Sequence, residues 1–419
     1  MKKKVIMLVP HNPELDPRIT CFFNFLKKNF DSEIVAIQLS NKNKRLKLTR
    51  KFRGTVIDYQ HIYNYKTVDF FLNTWLKFAS NLSTRFIIFF FRILNNKYFT
   101  TILINKKKFN DFYFFVYHLA VIFKETTNEC IKKEEIDIIQ CIDIFTLLPA
   151  VVLKIKHNGK LIYDAHELYS ESLINPLFIT KILFYSLEKS LLKYVDQPIT
   201  VSEGIANIMS KRYGGKAFNI IHNAELLKEN KFTLHRDDKI IFLYQGNFAP
   251  GRGIEKLLKL WDQLKYPHIQ LILRGPTNQY LEDLKEKYMN VSNKNIKFED
   301  PVATNMLVKA ALKADVGIIP YEPVNLNYMY CFPNKLSQYM QAGLAILSNN
   351  LPCVKDIIKN HSCGLIFDFS QESTFFQAID KLLSTKYLRK LQKASIKAAH
   401  DTLNWQQEEV KLKKIYANI

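Results

Sequence analysis

The chain has 419 residues, 47% of them hydrophobic, and carries 60 Lys and Arg against 39 Asp and Glu for a formal net charge of +21. That apolar content excludes a disordered chain and suffices for two domains, each with its own core. The charge calls for an anionic partner, which narrows the classes to nucleic acid, an anionic membrane surface or phosphorylated substrates.

No apolar run approaches the roughly 18–20 residues needed to span a bilayer. The opening Met1–Pro10 is too short in its apolar part for a secretory signal and lacks a small-residue cleavage site, so it reads as the first strand of a cytoplasmic protein. Six cysteines (21, 130, 141, 331, 353 and 363) are scattered without a C-x-x-C pair, which indicates neither a zinc site nor a disulfide framework.

Residues 5–9 read as a strand and Ile19–Phe30 as a helix with Cys21, Phe22, Phe25 and Leu26 on its apolar side. The polar loop His11–Arg18 between them emerges at the carboxyl end of a strand, the edge where open α/β sheets bind ligands. Ser32–Leu39 gives the next strand. The composition then shifts. Between Lys42 and Arg53 stand seven cations and no acid, and Lys106, Lys107 and Lys108 precede Phe112, Tyr113, Phe114, Phe115 and Tyr117. Between these runs Phe71, Trp75, Phe78, Leu82, Phe86, Phe89 and Ile93 keep helical spacing, interrupted by Lys77, Arg85 and Arg92. Two readings stay open: a core helix of the first domain, or an interfacial patch with aromatics in the acyl boundary and cations on anionic headgroups. Single-stranded nucleic acid is a third, with no RNP-like or helix-turn-helix signature to support it.

The β-α rhythm returns with strands Ile136–Cys141, Lys160–Asp164, Gln197–Val201 and Ile220–Asn223. Helices fall over Phe145–Lys156 and 175–193, and a third starts at Ser202-Glu203-Gly204, with the serine as its cap. Beyond a polar linker at Lys228–Asp238 come strands Lys239–Tyr244, His268–Arg274, Ile296–Glu299, Ala314–Ile319 and Ala345–Ser348. Helices are predicted at 254–265, Gln279–Tyr288 and Met306–Lys313, and from about Phe375 to the end. The order predicts two successive β-α-β domains with parallel sheets.

Two stretches of the second half carry chemistry. In Gln245–Gly253 the glycines let the backbone approach a ligand, and Arg252 stands at a helix N-terminus. In Pro320–Gly343, Pro333 presets a first helical position, Lys335 follows at once, and Leu336, Tyr339 and Met340 keep helical spacing up to Gly343. Exposed N–H groups beside a lysine suit a diphosphate, although an ordinary strand-to-helix turn with a solvated lysine would read the same way. Parallel strands bring both helix starts to one sheet edge.

Four motifs in order then carry a resemblance: D-A-H-E at 164–167, V-S-E-G at 201–204, Y-Q-G-N-F-A-P-G-R-G at 244–253, and P-Y-E-P with P-N-K-L-S-Q-Y-M-Q-A-G within 320–343. Over nearly its full length the chain resembles the GT-B-fold retaining glycosyltransferases of family 4. The likeness implies an α/β GT-B fold, two Rossmann-like domains with parallel sheets facing a central cleft. Residues 1–224 would bind the acceptor, with a basic and aromatic insertion at 42–125, and 225–400 would bind the donor. Residues 401–419 would form a C-terminal helix that packs back on the first domain. It further implies hexosyl or N-acetylhexosaminyl transfer from a nucleotide sugar, UDP favoured over GDP, to a lipid-linked or cell-surface glycan, as in polysaccharide, capsule or lipopolysaccharide assembly. The reaction would be metal-independent and need no cofactor, at the inner face of the cell membrane and without nucleic acid. By the same likeness His166, Arg252 and Lys335 are catalytic: the two cations hold the diphosphate and His166 contacts the donor sugar. Gly246, Asn247, Gly251, Gly253, Arg274, Phe298, Tyr321, Phe332, Pro333, Asn334, Leu336 and Gln338 fall on the donor side, with Gln338 on the ribose and the Phe298–Pro301 loop on the base. Asp16, Arg18, Glu167 and Ser202 fall on the acceptor side; Asp16 and Arg18 read equally well as a local ion pair. Glu322 and Asp164 read as structural. The chain departs from the family pattern at Tyr330 and Gln338, where two acids are usual, and at Asn247, where a cation is usual. A nucleotide-sugar epimerase of the same fold and a non-catalytic glycan- or lipid-binding scaffold are the rival readings.

Overall fold

Alternating strands and helices build two separate sheets. The structure, a computed structural model, describes residues 2–39, 44–47, 54–59, 65–80, 82–96, 107–227, 239–288 and 295–419. The chain divides into one unit of Met1–Val201, Ile205–Ile221 and Lys413–Ile419 and a second of Ser202–Gly204 and His222–Leu412.

In the first unit the strands are β1 (Lys4–Val9), β2 (Asp31–Leu39), β3 (Lys44–Lys47), β4 (Gly54–Tyr59), β5 (Ile138–Ile142), β6 (Lys160–Ala165), β7 (Gln197–Thr200) and β8 (Asn219–Ile220), in the spatial order β3-β4-β2-β1-β5-β6-β7-β8. All described pairs are parallel except β3, which runs antiparallel to β4. The parallel Rossmann-like sheet agrees with the expectation; β3 and β4 were absent from the predicted elements. The signal was weak because K-R-L-K has one apolar residue. Lys42, Arg50, Lys51, Arg53 and Lys106 of the expected basic runs, and the Lys228–Asp238 linker, lie outside the described residues.

The aromatic stretch is two helices, α2 (Tyr65–Phe78) and α3 (Leu82–Leu94), where one continuous spacing had been predicted. The break re-phases the stripe. Phe71 and Trp75 of α2 are core, with the Trp75 indole donating to Ser190 Oγ at 2.8 Å. In α3 the buried side is Thr84, Ile88 and Phe91, so Phe86 and Phe89 of the expected stripe face outward. Helices α1 (Pro17–Asn29), α4 (Lys107–Cys130), α5 (Asp143–His157), α6 (Phe178–Leu191) and α7 (Glu203–Arg212) complete the series.

The second unit holds β9 (Ile240–Gln245), β10 (Ile269–Arg274), β11 (Ile296–Glu299), β12 (Val316–Ile319), β13 (Ala345–Asn349) and β14 (Gly364–Phe367), ordered β11-β10-β9-β12-β13-β14 and parallel throughout. Its helices are α8 (Ile254–Trp261), α9 (Gln279–Tyr288), α10 (Leu307–Ala311), α11 (Leu326–Tyr330), α12 (Asn334–Gln341), α13 (Pro352–His361), α14 (Ser373–Leu382), α15 (Thr385–Asp401) and α16 (Trp405–Ala417). Three of these elements, α11, α13 and β14, were not predicted, and the expected helical tail is made of three helices. The last residues, 413–419, belong to the first unit, where Tyr416 packs edge-on against Phe25 with ring centroids 5.2 Å apart and its hydroxyl donates to Gln140.

Both sheets have a point where strand order reverses, β1/β5 in the first unit and β9/β12 in the second. Loops leaving the carboxyl ends there diverge and leave a crevice, the usual ligand position in such sheets.

Candidate functional site

At the second unit's reversal, β9 runs into the Gly246–Gly253 loop and β12 into Pro320. Gly253 has φ +71°, and a Cβ there would lie 1.7 Å from the Pro320 carbonyl oxygen, so only glycine permits the approach. The Glu322 amide donates to the Gly251 carbonyl at 2.9 Å. Two motifs about 70 residues apart are therefore one surface, and the Glu322 carboxylate pairs with Lys256 at 2.7 Å.

Helix α12 starts behind Pro333, which offers no side-chain cap, and returns Lys335 to this surface. The buried Lys335 Nζ donates to the Tyr321 hydroxyl at 2.6 Å and lies 4.7 Å from the Tyr244 ring centroid. A Cβ on Gly246 would come within 3.1 Å of that ammonium, so the glycine makes its room. The Arg252 guanidinium sits 4.4 Å from the centroid of the same Tyr321 ring and 5.1 Å from that of Tyr328. Among the described residues neither cation has a carboxylate partner. Burial, with Arg252 adding repulsion, holds the Lys335 pKa well below the ordinary lysine range. Burial opposes the Arg252 charge too, but Tyr321 and Tyr328 outweigh it and keep that group above its usual value. Arg252 and Lys335 meeting on one phenol, with no acid beside them among the described residues, suit a compact dianion such as a diphosphate, whose charge would favour the ammonium form of Lys335.

The first unit's reversal gathers a different set. Asp164, at the end of β6, is fully buried and accepts Arg18 Nη2 at 2.8 Å and Nε at 3.1 Å, while Arg18 Nη1 donates to the Ile221 carbonyl at 2.7 Å. Among the described contacts the Arg18 guanidinium pairs with Asp164 rather than with Asp16. Asp16 instead caps α1 by accepting the Arg18 and Ile19 amides at 2.8 and 3.3 Å, and the guanidinium turns to Asp164. Against burial, the Arg18 and His166 charges hold the Asp164 carboxyl far below the usual range.

His166 stands among three acids. Its Nε2 is 3.1 Å from Asp164, its Nδ1 lies 3.8 Å from Asp16 and 4.0 Å from Asp143, and its amide donates to Asp143 Oδ1 at 3.0 Å. Burial would lower the imidazole pKa, but Asp143 and Asp164 outweigh it and push the group up to about 9. Asp143, with φ +62°, holds a left-handed conformation unusual for a non-glycine residue. The residue patterns did not flag Asp143; its place directly after β5, beside the reversal, was the one available signal. Glu167 follows His166 and is half-buried.

Sequence models of two families match: "Glycosyltransferase Family 4" over residues 99–224 and "Glycosyl transferases group 1" over residues 227–402. The chain belongs to the GT-B glycosyltransferases of family 4. No curated protein matches it in sequence. Among solved structures it is similar to sucrose-phosphate synthase from Thermosynechococcus elongatus, with TM-score 0.71 and 14% identity over 99% of this chain and 98% of that one. It is also similar to Anabaena HepE in complex with UDP-glucose (TM-score 0.65, 9% identity, 99% and 100% covered). A third is the lipopolysaccharide outer core galactosyltransferase WaaB (TM-score 0.60, 14% identity, 98% and 99% covered). At these identities the likeness shows the GT-B fold.

Within this glycosyltransferase several residues carry structural contacts. Arg274 is spent on Glu299, at 2.7 and 3.1 Å, and on Gln245 at 2.9 Å. Ser202 is fully buried and donates to the Tyr330 carbonyl at 2.7 Å. Gln338 is buried with its amide donating to Glu225 at 2.9 Å, so a carboxylate stands beside the position where an acid was lacking. Glu225 is half-buried, and nothing in its sequence neighbourhood marked it. Tyr330 lays its ring on Gly204, where a Cβ would meet it at 2.2 Å, which gives the V-S-E-G glycine a packing reason. Phe332 stacks on His222 with ring centroids 4.2 Å apart, and its carbonyl accepts from Asn223 at 2.8 Å. Asn247 and Asn334 are exposed beside the two cations' loops, Leu336 is core, and Phe298 is half-buried on the edge strand β11.

Proposed function

We propose that this glycosyltransferase is a retaining enzyme that moves a hexosyl or N-acetylhexosaminyl group from a UDP-sugar to a lipid-linked or cell-surface glycan. In this reading it serves polysaccharide, capsule or lipopolysaccharide assembly at the inner face of the cell membrane. The observation that carries the reading is the pair Arg252 and Lys335 meeting on Tyr321 without a carboxylate. The pair would neutralise charge on a departing nucleoside diphosphate, the work a divalent metal does in other transferases, and this supports a metal-independent reaction. The departing phosphate then helps take the acceptor's proton on the donor's front face, and His166 acts on the donor sugar. UDP-glucose in the HepE structure supports the choice of base.

The test is a thermal-shift panel of UDP, GDP, ADP and CMP with their sugars, followed by product analysis in EDTA with membrane extract as acceptor. Stabilisation by one nucleotide and an unchanged anomeric configuration in the product are expected. Conversion of the donor without acceptor would make the protein an epimerase. Absence of any nucleotide-induced shift would leave a binding scaffold.

A further inference from the structure

Helix α3 wears its apolar side outward. Leu82 is 84% exposed, Phe86 69%, Phe89 57%, Phe90 44% and Ile93 43%, while Thr84, Ile88 and Phe91 hold the opposite side in the core. At 100° per residue, positions 82, 86, 89 and 93 fall in one stripe, with Phe90 along one flank. Arg85 and Arg92, both exposed, border the other flank, and α3 contains no acidic residue. Single exposed hydrophobes need no explanation, but five on one helical face do.

We infer that the outer face of α3 lies in the surface of an anionic bilayer, with Leu82, Phe86, Phe89, Phe90 and Ile93 among the acyl chains and Arg85 and Arg92 at the phosphates. The inference deepens the peripheral part of the reading above and rests on it; the nucleotide arm below separates the two. Charge argues for a lipid occupant. Residues 42–108 hold fifteen Lys and Arg against two acids, Asp58 and Asp69, so most of the net charge of +21 belongs to the segment that carries this face. Each basic residue near an anionic surface adds attraction that salt screens. The helix, 13 residues or about 20 Å long, matches an element lying along the interface. Among the described residues no helix is long and apolar enough to cross a membrane, so α3 would lie along it.

The test is flotation of the full-length protein with phosphatidylcholine vesicles, with or without about one third phosphatidylglycerol. The wild type should float with the anionic vesicles alone. Phe86→Ser with Phe89→Ser should weaken partitioning at least ~10-fold, and Arg85→Gln with Arg92→Gln should lower it and flatten its salt dependence. All four positions are exposed, so both variants should keep the wild-type melting transition and the nucleotide-induced shift. Wild type that stays with the unbound protein, or floats equally on neutral vesicles, overturns the inference. So does flotation that survives the Phe86/Phe89 substitutions. If nucleotide gives no shift but flotation behaves as described, the donor reading fails and this surface stands.

Discussion

Lys335 Nζ donates to the Tyr321 hydroxyl at 2.6 Å, on the phenol whose ring faces the Arg252 guanidinium. A buried ammonium with a phenol as its hydrogen-bond acceptor and a second cation as neighbour is unstable as a charge, which is why its pKa falls. A diphosphate reverses the sign of that environment.

Donor binding should therefore take up a proton at Lys335. Calorimetric titration of the free enzyme with UDP across a pH series, in buffers of different ionisation enthalpy, should give a positive uptake on the side of the series where the free amine is neutral, and Lys335→Met should abolish it. Affinity should fall as pH rises, because the neutral amine then competes with the bound, charged form. The sign for stability is opposite to the His166 case: an unfolded lysine binds the proton that the folded one releases, so this group's contribution grows with pH up to the ordinary lysine range.

Arg252→Ala should lower turnover by about 10²–10³-fold, the cost of removing one preorganised donor at a developing anion. Its melting temperature should fall only modestly, because among the described residues Arg252 has ring contacts with Tyr321 and Tyr328 but no ion pair. Near-normal turnover would remove it from the site.

The three acids around His166 should keep it an imidazolium through neutral pH, with activity falling on a basic limb near pH 9. Asp143→Asn keeps a residue that tolerates the left-handed backbone and removes one charge, so that limb should move to lower pH. The stability that His166 gains from its acids is full below the ordinary histidine range and is lost as pH rises through about 9. Nuclear magnetic resonance titration of His166 checks the assignment apart from activity.

Arg18→Met should cost about 3–5 kcal/mol, because it strands the buried Asp164 carboxylate. Arg18→Lys should rescue only part of this, as a lysine cannot span both carboxylate oxygens. Chemical denaturation checks both. Asp164 adds an acid dependence: its stabilising contribution is present above the ordinary carboxyl range and fades as pH drops toward its depressed folded value.

The sequence made the second unit legible because its strands are apolar runs and its helix starts carry proline or glycine. Gln279–Tyr288 and Ile296–Glu299 agree with prediction residue for residue. Residues 352–367 were missed although Pro352 opens the helix and Gly364 the strand. In the first unit β3 hid in a charge run, and a three-residue gap divided what spacing alone made one helix. Arg252 and Lys335, which the structure brings to one tyrosine ring, were singled out by helix starts and family likeness. Long-range partners were not: Glu225 beside Gln338, Asp143 beside His166 and Asp164 beside Arg18 meet through topology, and local spacing carries no trace of that.

The most direct measurement compares a nucleoside diphosphate with its nucleoside, for whichever base binds best, in wild type, Arg252→Ala and Lys335→Met. Wild type should bind the diphosphate at least ~100-fold more tightly, two charge-assisted contacts of about 1.5–3 kcal/mol each being available, and each substitution should remove about half of that gap on a logarithmic scale. Equal binding of nucleoside and diphosphate by the wild type, or a gap that survives both substitutions, would contradict the account.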